Sequence, residues 1–207
     1  MPNWCLNTLT IKGSKKDAIK FFEKAGFDST SELGEFIKNN KLTLRSWMPM
    51  PKTFVEMDTA NPKRKRESFA SDEEYKAYSM AYDDAAKHQR ETYGVVGWYF
   101  YNLQTLGCKW DAPINEYGGD YFESNDSVEI TFEFDTPWSP PTTWLETIIE
   151  DNNGLSFQLD GYEPGNCFHT HMFGEDGEVV ENFDEDWEME YEEEDEDEQL
   201  SSFFFCI

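Results

Sequence analysis

The stretch Val128–Phe134 constrains the fold of this chain most strongly, because its side chains alternate between apolar and polar at every step. The apolar positions are Val128, Ile130, Phe132 and Phe134, with two glutamates and a threonine between them. A period of two residues places successive side chains on opposite faces of a β-strand. The segment therefore predicts a strand with one buried face and one solvated, carboxylate-bearing face.

Similar patterns elsewhere in the chain predict further strands and helices. In chain order, the predicted elements are a strand over 4–12, a helix over 15–25, a strand over 42–45, the strand over 128–134, a helix over 142–150, a strand over 155–159 and a hairpin over 167–173 and 178–183. Strand–helix–strand, repeated and closed by a hairpin, is the split βαβ arrangement of ferredoxin-like folds. We therefore predict an α+β fold with an antiparallel sheet and helices on one face of it.

Two segments do not fit this repeated unit. Residues 61–93 are predicted to be a helical insertion that opens with a basic cluster at 63–66, and a further helix is predicted over 95–106. Residues 184–198 hold 12 acidic residues in 15 positions, and the chain closes with the apolar run Phe203–Ile207. We predict a single domain over 1–183 and an acidic tail with an apolar end over 184–207. The tail is either a solvating appendix or a docking element.

Charge is divided unevenly along the sequence. Residues 1–109 contain all 17 Lys and Arg residues and 14 of the 43 acidic residues, so residues 110–207 contain the remaining 29 (43 − 14) and no Lys or Arg. The formal net charge is −26. A field of this sign repels nucleic-acid phosphates and attracts basic protein surfaces. We therefore expect a partner protein with a basic or nucleic-acid-binding surface, and no direct binding of nucleic acid.

Carboxylates interspersed with aromatic side chains are the candidate binding residues for such a partner. Carboxylates in the strand over 128–134, the helix over 142–150 and the tail would imitate the phosphates of DNA, and the aromatic side chains would anchor the interface. The predicted partner-binding residues are Glu129, Glu133, Asp135, Trp138, Asp184, Glu185, Asp186, Trp187, Glu188, Glu190, Tyr191, Glu192, Glu193 and Glu194.

One short segment has the residue types of a metal site. Cys167, His169 and His171 fall on one face of a predicted strand and could supply three ligands to zinc. Tetrahedral sites normally gather ligands from two separated elements, and here only Cys5, Cys108 or His88 could complete the set. The alternative interpretation is a strand with a solvent-facing histidine pair, and we assign no metal.

The sequence carries no motif that identifies an enzyme. A Gly-rich phosphate loop, a Gly-x-Ser-x-Gly elbow and a His-Glu-x-x-His motif are all absent from it. We predict no catalytic residues and no cofactor, and a metal-dependent enzyme remains a third hypothesis. The four cysteines are widely spaced, no apolar leader opens the sequence, and no run of 18 apolar residues occurs. A reducing cytoplasm and no membrane association are expected.

Four motifs together resemble a known family. They are Met1–Asn7, Gly107–Ala112, Phe134–Pro141 and Tyr162–Gly165. Over about residues 1–175 the chain resembles phage- and plasmid-borne proteins with a YubB-type ferredoxin-like domain. The resemblance implies a ferredoxin-like fold and a mobile element that infects bacteria, and hence the cytoplasm of a bacterial host. It implies no catalytic residues.

The leading functional hypothesis combines the charge with this setting. It is a phage-encoded, non-enzymatic protein that inhibits or redirects a host protein, as counter-defence of the anti-restriction or anti-CRISPR type, by DNA mimicry or an acidic docking surface. The alternative is an accessory protein of nucleic-acid processing, in which the acidic tail masks a nucleic-acid site or recruits partners. The sequence leaves the oligomeric state open.

Overall fold

The computed structural model describes residues 3–186, which form six strands and seven α-helices. The strands are β1 (Trp4–Ser14), β2 (Gly119–Ser124), β3 (Ser127–Pro137), β4 (Leu155–Glu163), β5 (Phe168–Glu175) and β6 (Glu178–Asp186). The helices are α1 (Lys15–Lys24), α2 (Leu33–Asn39), α3 (Leu44–Trp47), α4 (Lys52–Glu56), α5 (Asp72–Tyr93), α6 (Trp98–Leu106) and α7 (Thr142–Glu150). No helix among these residues is both long enough and apolar enough to cross a membrane.

All six strands form one antiparallel sheet in the order β2-β3-β1-β4-β5-β6. The first strand, β1, lies inside the sheet and pairs with β3 on one side and β4 on the other. Helices α1, α2 and α7 contact the sheet. The predicted class is confirmed: the protein has an α+β, ferredoxin-like fold with an antiparallel sheet and helices on one face.

The hydrophobic core lies between the sheet and these helices. The alternating apolar side chains of β1, β3 and β4 are buried there against Phe21 and Phe22 of α1 and Trp144 of α7. The indole Nε1 of Trp144 donates to the Leu44 carbonyl at 3.0 Å, and that of Trp47 donates to the Phe21 carbonyl at 2.9 Å. Each buried indole N–H is thus satisfied, which removes the cost of burying it.

Local sequence signals set the ends of the long helices. Ser14 caps α1 by accepting the Asp17 N–H at 3.1 Å, and Ser71 caps α5 by accepting the Glu74 N–H at 3.1 Å. Such caps satisfy N–H groups that have no partner within the helix. At the other end of α5, Gly94 adopts a left-handed conformation with φ of 77°. Glycine adopts this conformation without steric penalty, so the helix stops there.

The predicted strand over 42–45 is wrong. Thr43 makes one isolated bridge to Pro113, and the chain then enters α3. The sheet instead gains β2 from a segment for which no strand was predicted. The turn from β2 to β3 explains this, because Asn125 and Asp126 both have positive φ, at 48° and 72°. Two left-handed residues in a two-residue turn match the twist of a hairpin and favour pairing of the flanking strands.

The predicted insertion contains α5, and one buried side chain ties this helix to the preceding segment. The Gln89 amide donates to the Thr53 carbonyl at 2.7 Å, and its oxygen accepts from the Thr59 hydroxyl at 2.5 Å and the Gly97 N–H at 3.0 Å. A buried amide with all three partners fixes the helix in one orientation.

The predicted start of the tail at residue 184 needs correction. Strand β6 continues to Asp186, because Asp184, Glu185 and Asp186 pair with Thr170, His169 and Phe168 of β5. The backbone pairing extends the sheet through the first three residues of the acidic run. The remainder of the predicted tail, 187–207, lies outside the described residues.

Candidate functional site

One face of the sheet is uncovered by the helices of the described chain, and we call it the open face. Every side chain on it is partly or fully exposed, whereas the alternate residues of β1, β3, β4 and β5 are buried on the other side of the sheet. The open face is formed by Leu6, Thr8, Thr10, Lys12, Asp120, Phe122, Glu129, Thr131, Glu133, Asp135, Ser156, Gln158, Asp160, Tyr162, His169, His171, Phe173, Glu181, Phe183 and Glu185.

Strand register arranges these side chains in rows across the sheet. One row runs from β3 to β6 as Asp135, Leu6, Tyr162, His169 and Glu185. Neighbours in a row are directly opposite each other on adjacent strands, so their side chains lie within contact range. A carboxylate therefore stands at each end of the row, with apolar and aromatic groups between them.

The next row has a different centre. It runs as Glu133, Thr8, Asp160, His171 and Phe183. Thr8 is the smallest side chain of this row, and carboxylates flank it on both sides. The surface is consequently concave at Thr8.

This concavity is a groove of about 490 Å³ in the open face. We call it the groove and define it by its lining residues, which are Leu6, Asn7, Thr8, Tyr117, Glu133, Phe134, Asp135, Asp160, Gly161, Tyr162 and His169. Three of them are carboxylates, and none is Lys or Arg. The groove therefore combines an apolar floor with negatively charged sides.

The Asp160 carboxylate is held in place by its neighbours. Its Oδ1 lies 2.7 Å from His171 Nδ1 and 3.6 Å from His169 Nε2, and its Oδ2 accepts from the Gln158 amide at 2.8 Å. Partial burial of this carboxyl acts to raise its pKa, but the hydrogen bonds from His171 and Gln158 outweigh that effect and place its pKa below the usual value. Asp160 is therefore ionised at neutral pH.

Asp135 is oriented in a similar way on the other side of the groove. The Tyr117 hydroxyl donates to Asp135 Oδ2 at 2.8 Å. This hydrogen bond to a carboxylate raises the pKa of Tyr117 to about 12. Tyr117 stays protonated, and its hydroxyl orients the Asp135 carboxylate through Oδ2.

A histidine and a phenylalanine extend the site toward β6. The His171 ring stacks on Phe183 with centroids 5.1 Å apart and an angle of 29° between the planes. Its Nε2 lies 3.6 Å from Glu181 Oε2. His171 thus stands between two carboxylates, Asp160 and Glu181, and links them across the open face.

The structure brings together some of the predicted partner-binding residues and separates others. Glu129, Glu133, Asp135 and Glu185 all lie on the open face, and Glu129 pairs with Lys12 at 3.3 Å. Trp138 lies just beyond β3, is 45% exposed and does not line the groove. The predicted residues Trp187, Glu188, Glu190, Tyr191, Glu192, Glu193 and Glu194 lie outside the described residues.

Asp184 and Asp186 do not share a surface with Glu185. The Thr170 hydroxyl donates to Asp184 Oδ1 at 2.6 Å, and Thr170 is buried on the helix side of the sheet. Asp186 has the same strand parity as Asp184 and is directed to the same side. The three predicted partner-binding residues of β6, Asp184, Glu185 and Asp186, are therefore divided between the two faces of the sheet.

The carboxylates of helix α7 also lie away from the open face. Glu146 and Glu150 belong to a helix that packs on the opposite side of the sheet. An acidic surface that joins this helix to β3, as the sequence suggested, is therefore not formed.

The candidate metal ligands Cys167, His169 and His171 are not arranged as predicted. Cys167 precedes β5, has a φ of 51° and directs its thiol toward the Pro164 carbonyl at 3.4 Å. The left-handed backbone takes it out of the alternation of the strand, so only the two histidines share a face. Residues 3–186 contain no group of three or more His, Cys, Asp or Glu side chains that could hold a metal ion.

Sequence reasoning missed several groove residues, notably Leu6, Tyr117, Asp160 and Tyr162. The sequence carries a signal for one of them, Asp160, because the apolar residues of 155–159 alternate with polar ones and Asp160 continues that alternation. The residues on either side of Tyr162 are Gly161 and Glu163, so the apolar alternation does not reach it. Extending the predicted strand from 159 to 160 would have placed Asp160 on the solvated face. Tyr117 precedes β2 and has no such periodic signal.

A comparison with protein families agrees with the ferredoxin-like fold over part of the chain. A family model described as "Ferredoxin-like domain in Api92-like protein" matches residues 119–204. Among solved structures, the protein api92 from Yersinia pseudotuberculosis is similar with a TM-score of 0.41 and 10% sequence identity, over 91% of this chain and 99% of that chain. No curated protein matches the sequence. The matched segment includes β2 to β6, which supply most of the open face.

Proposed function

We propose that this chain is a non-catalytic acidic protein that binds a basic surface of another protein through the open face. The observation that carries the proposal is the charge of that face. Its strands present the carboxylates Asp120, Glu129, Glu133, Asp135, Asp160, Glu181 and Glu185, and among residues 3–186 Lys12 is the one Lys or Arg on the open face. A uniform field of this kind attracts and orients a basic partner.

Exposed apolar side chains accompany these carboxylates. Leu6 is 48% exposed, Phe122 is 67% exposed and Phe183 is 42% exposed. Aromatic and aliphatic groups that lose contact with water at the centre of an interface supply most of its binding energy, while rim charges set the encounter rate and the orientation. The open face has both components.

Three of the four cations of the basic cluster at 63–66 contact other parts of the protein, which supports a protein partner over direct nucleic-acid binding. Lys63 pairs with Asp83 at 2.5 Å, and Arg66 pairs with Asp72. The Arg64 guanidinium lies over the Phe69 ring at 4.6 Å. These cations are partly neutralised by their neighbours, so they present a weak attraction for phosphates.

The resemblance to phage- and plasmid-borne proteins with a YubB-type domain supplies the biological form of the proposal. In that form the partner is a bacterial host protein with a basic or nucleic-acid-binding surface, and the outcome is counter-defence by DNA mimicry in the host cytoplasm. Carboxylates at alternate strand positions, such as Glu133 and Asp135, stand about 7 Å apart. DNA also presents negative charges at regular intervals, which supports competition for one site.

The proposal is tested by charge reversal with a matched control. The double variant Glu133→Lys/Glu185→Lys changes the open face, and Glu67→Lys/Asp84→Lys changes exposed residues of the insertion by the same net charge. Tagged proteins are compared for retention of partners from a bacterial lysate, with elution by about 0.05 M to about 0.5 M NaCl. We expect the open-face variant to lose partners that the control retains, and duplex DNA to displace them. Equal retention by both variants, or elution independent of salt, would overturn the proposal.

Truncation after Asp186 separates this proposal from its alternative. The truncated protein keeps the whole open face and lacks the predicted aromatic and acidic residues at 187–207. If partner retention persists, the open face is sufficient for binding. If truncation instead produces measurable affinity for DNA or RNA, the protein is an accessory factor of nucleic-acid processing with a masking tail, and the proposal is replaced.

A further inference from the structure

We infer that the groove holds one arginine side chain of the basic partner, and this inference rests on the proposed function. The groove is the place on the open face where a cavity, carboxylates and aromatic rings coincide. Its occupant is identified by complementarity: a planar cation with an aliphatic stem.

The spacing of the strands sets the width of the groove. Glu133 on β3 and Asp160 on β4 both stand directly opposite Thr8 on the intervening strand β1. Adjacent strands are about 4.8 Å apart, so the two carboxylates rise from backbones about 10 Å apart. A guanidinium at the level of the Thr8 side chain can donate toward both sides, because its five N–H groups form a rigid planar fork.

Apolar groups occupy the neighbouring row. Leu6 lies between Asp135 and Tyr162 in the register, and Tyr117 donates to Asp135 from above β3. The methylene groups of an arginine can pack against Leu6. Its guanidinium can stack on one of the two tyrosine rings that line the groove as a cation–π pair. The guanidinium of the arginine thus contacts carboxylates and an aromatic ring, and its methylene groups contact an apolar side chain.

Two of the three carboxylates of the groove are oriented before a ligand arrives. Asp160 is held by His171 and Gln158, and Asp135 is held by Tyr117. Lys12, which is the one Lys or Arg of the open face among residues 3–186, is paired with Glu129 at 3.3 Å and does not line the groove. Preset orientation lowers the entropy lost on binding, and two separated acceptors favour the forked guanidinium over the point charge of a lysine.

The test uses a probe with a single positive charge, so that the acidic residues elsewhere contribute little. N-acetyl-Gly-Arg-Gly-amide is titrated into the full-length protein and followed by amide shifts in ¹⁵N NMR spectra. The same tripeptide with lysine in place of arginine tests whether the forked guanidinium is required. The tripeptide with citrulline in place of arginine tests whether the positive charge is required, because citrulline has a similar shape and no charge. We expect saturable shifts at Leu6, Thr8 and Tyr162 with a millimolar dissociation constant, about tenfold weaker binding of the lysine peptide, and no saturable shifts with citrulline.

Variants locate the site within the open face. Glu133→Gln and Asp135→Asn each remove one charge inside the groove, while Glu181→Gln and Glu185→Gln each remove one charge outside it. We expect about tenfold weaker binding for the first pair and less than about twofold for the second, because a charge-assisted hydrogen bond is lost only in the groove. Thr8→Arg, which places a guanidinium in the groove, should abolish the shifts, and Thr10→Arg on the same strand should not.

Each outcome bears on a defined claim. If the variants inside and outside the groove weaken binding of the arginine peptide equally, the groove is not the arginine site, and the open face as a whole stays the proposed docking surface. Equal shifts with the citrulline peptide, or no shifts with the arginine peptide, also overturn the claim that the groove binds an arginine side chain. The charge-reversal test of the open face is independent of these results. Shifts confined to residues away from the open face would count against both claims.

Discussion

His171 Nδ1 lies 2.7 Å from Asp160 Oδ1 and ties β5 to β4 across the open face. The pair is partly buried, and Glu181 approaches the other nitrogen of the same ring at 3.6 Å. The arrangement fixes the carboxylate on which the charge of the groove depends. It also connects the groove to the stability of the sheet.

We predict that Asp160→Asn lowers the free energy of unfolding near neutral pH by about 1 kcal/mol. The hydrogen bonds that lower the pKa of Asp160 stabilise its ionised form, and partial exposure of the carboxylate limits their contribution. Urea unfolding at about pH 6.5 measures the difference.

The pH dependence of this difference has a definite sign. Because the pKa of Asp160 is lower in the folded protein, its contribution is complete above the unfolded value of about 3.9 and disappears as pH falls through the folded value. Wild type and Asp160→Asn should therefore converge below about pH 4. A difference that is constant down to pH 3 would contradict the assigned role.

Asn7→Ala should destabilise the fold by about 1–3 kcal/mol. The buried Asn7 amide donates to the Cys5 carbonyl at 2.8 Å, the Phe134 carbonyl at 3.1 Å and the Thr136 hydroxyl at 2.9 Å. Truncation leaves buried acceptors without these partners. Denaturant unfolding checks the value, with Thr10→Ala on the solvated side of the same strand as the control. Equal effects of the two substitutions would contradict the prediction.

Gly174→Ala should cost about 1–3 kcal/mol because α7 packs directly on this position of β5. A Cβ at Gly174 would lie 2.5 Å from Ile149 Cδ1, and Ile149 is fully buried. Overpacking of this kind forces side chains or backbone to shift. The double variant Gly174→Ala/Ile149→Val removes the Cδ1 methyl and should be less destabilised than the sum of its single variants. Strict additivity in thermal or urea unfolding would argue against the clash.

The cysteines should differ sharply in reactivity. Burial raises the pKa of Cys5 and Cys108 to about 12, with further contributions from the Glu163 and Asp111 carboxylates respectively. The reactive thiolate is thus scarce at both positions, whereas Cys167 is partly exposed. In a Cys206→Ser background at about pH 8, we expect DTNB to modify one thiol rapidly and the other two only on unfolding. Three fast thiols in the folded protein would refute the burial of Cys5 and Cys108.

The elements that the sequence predicted well are those with local causes. The alternation of Val128–Phe134 and the apolar positions of 142–150 predicted β3 and α7, and α1 and α5 begin at the local caps Ser14 and Ser71. Periodicity and capping depend on residues a few positions apart, so a single sequence contains the necessary information. The strand over 42–45 failed, because pairing with a distant segment decides whether a short extended stretch joins a sheet.

The features of the open face also fall into those that local sequence determines and those that depend on the tertiary structure. By itself the sequence determined that β3 exposes Glu129 and Glu133 and that the second half of the chain is strongly acidic. Only the tertiary structure decided that Asp160 comes opposite Thr8, that Tyr117 reaches Asp135, and that Asp184 turns away from Glu185. Strand order and register bring together residues as distant in the sequence as Thr8 and Asp160. Local pattern does not encode those pairings, because they depend on how all the strands bury their apolar sides in one shared core.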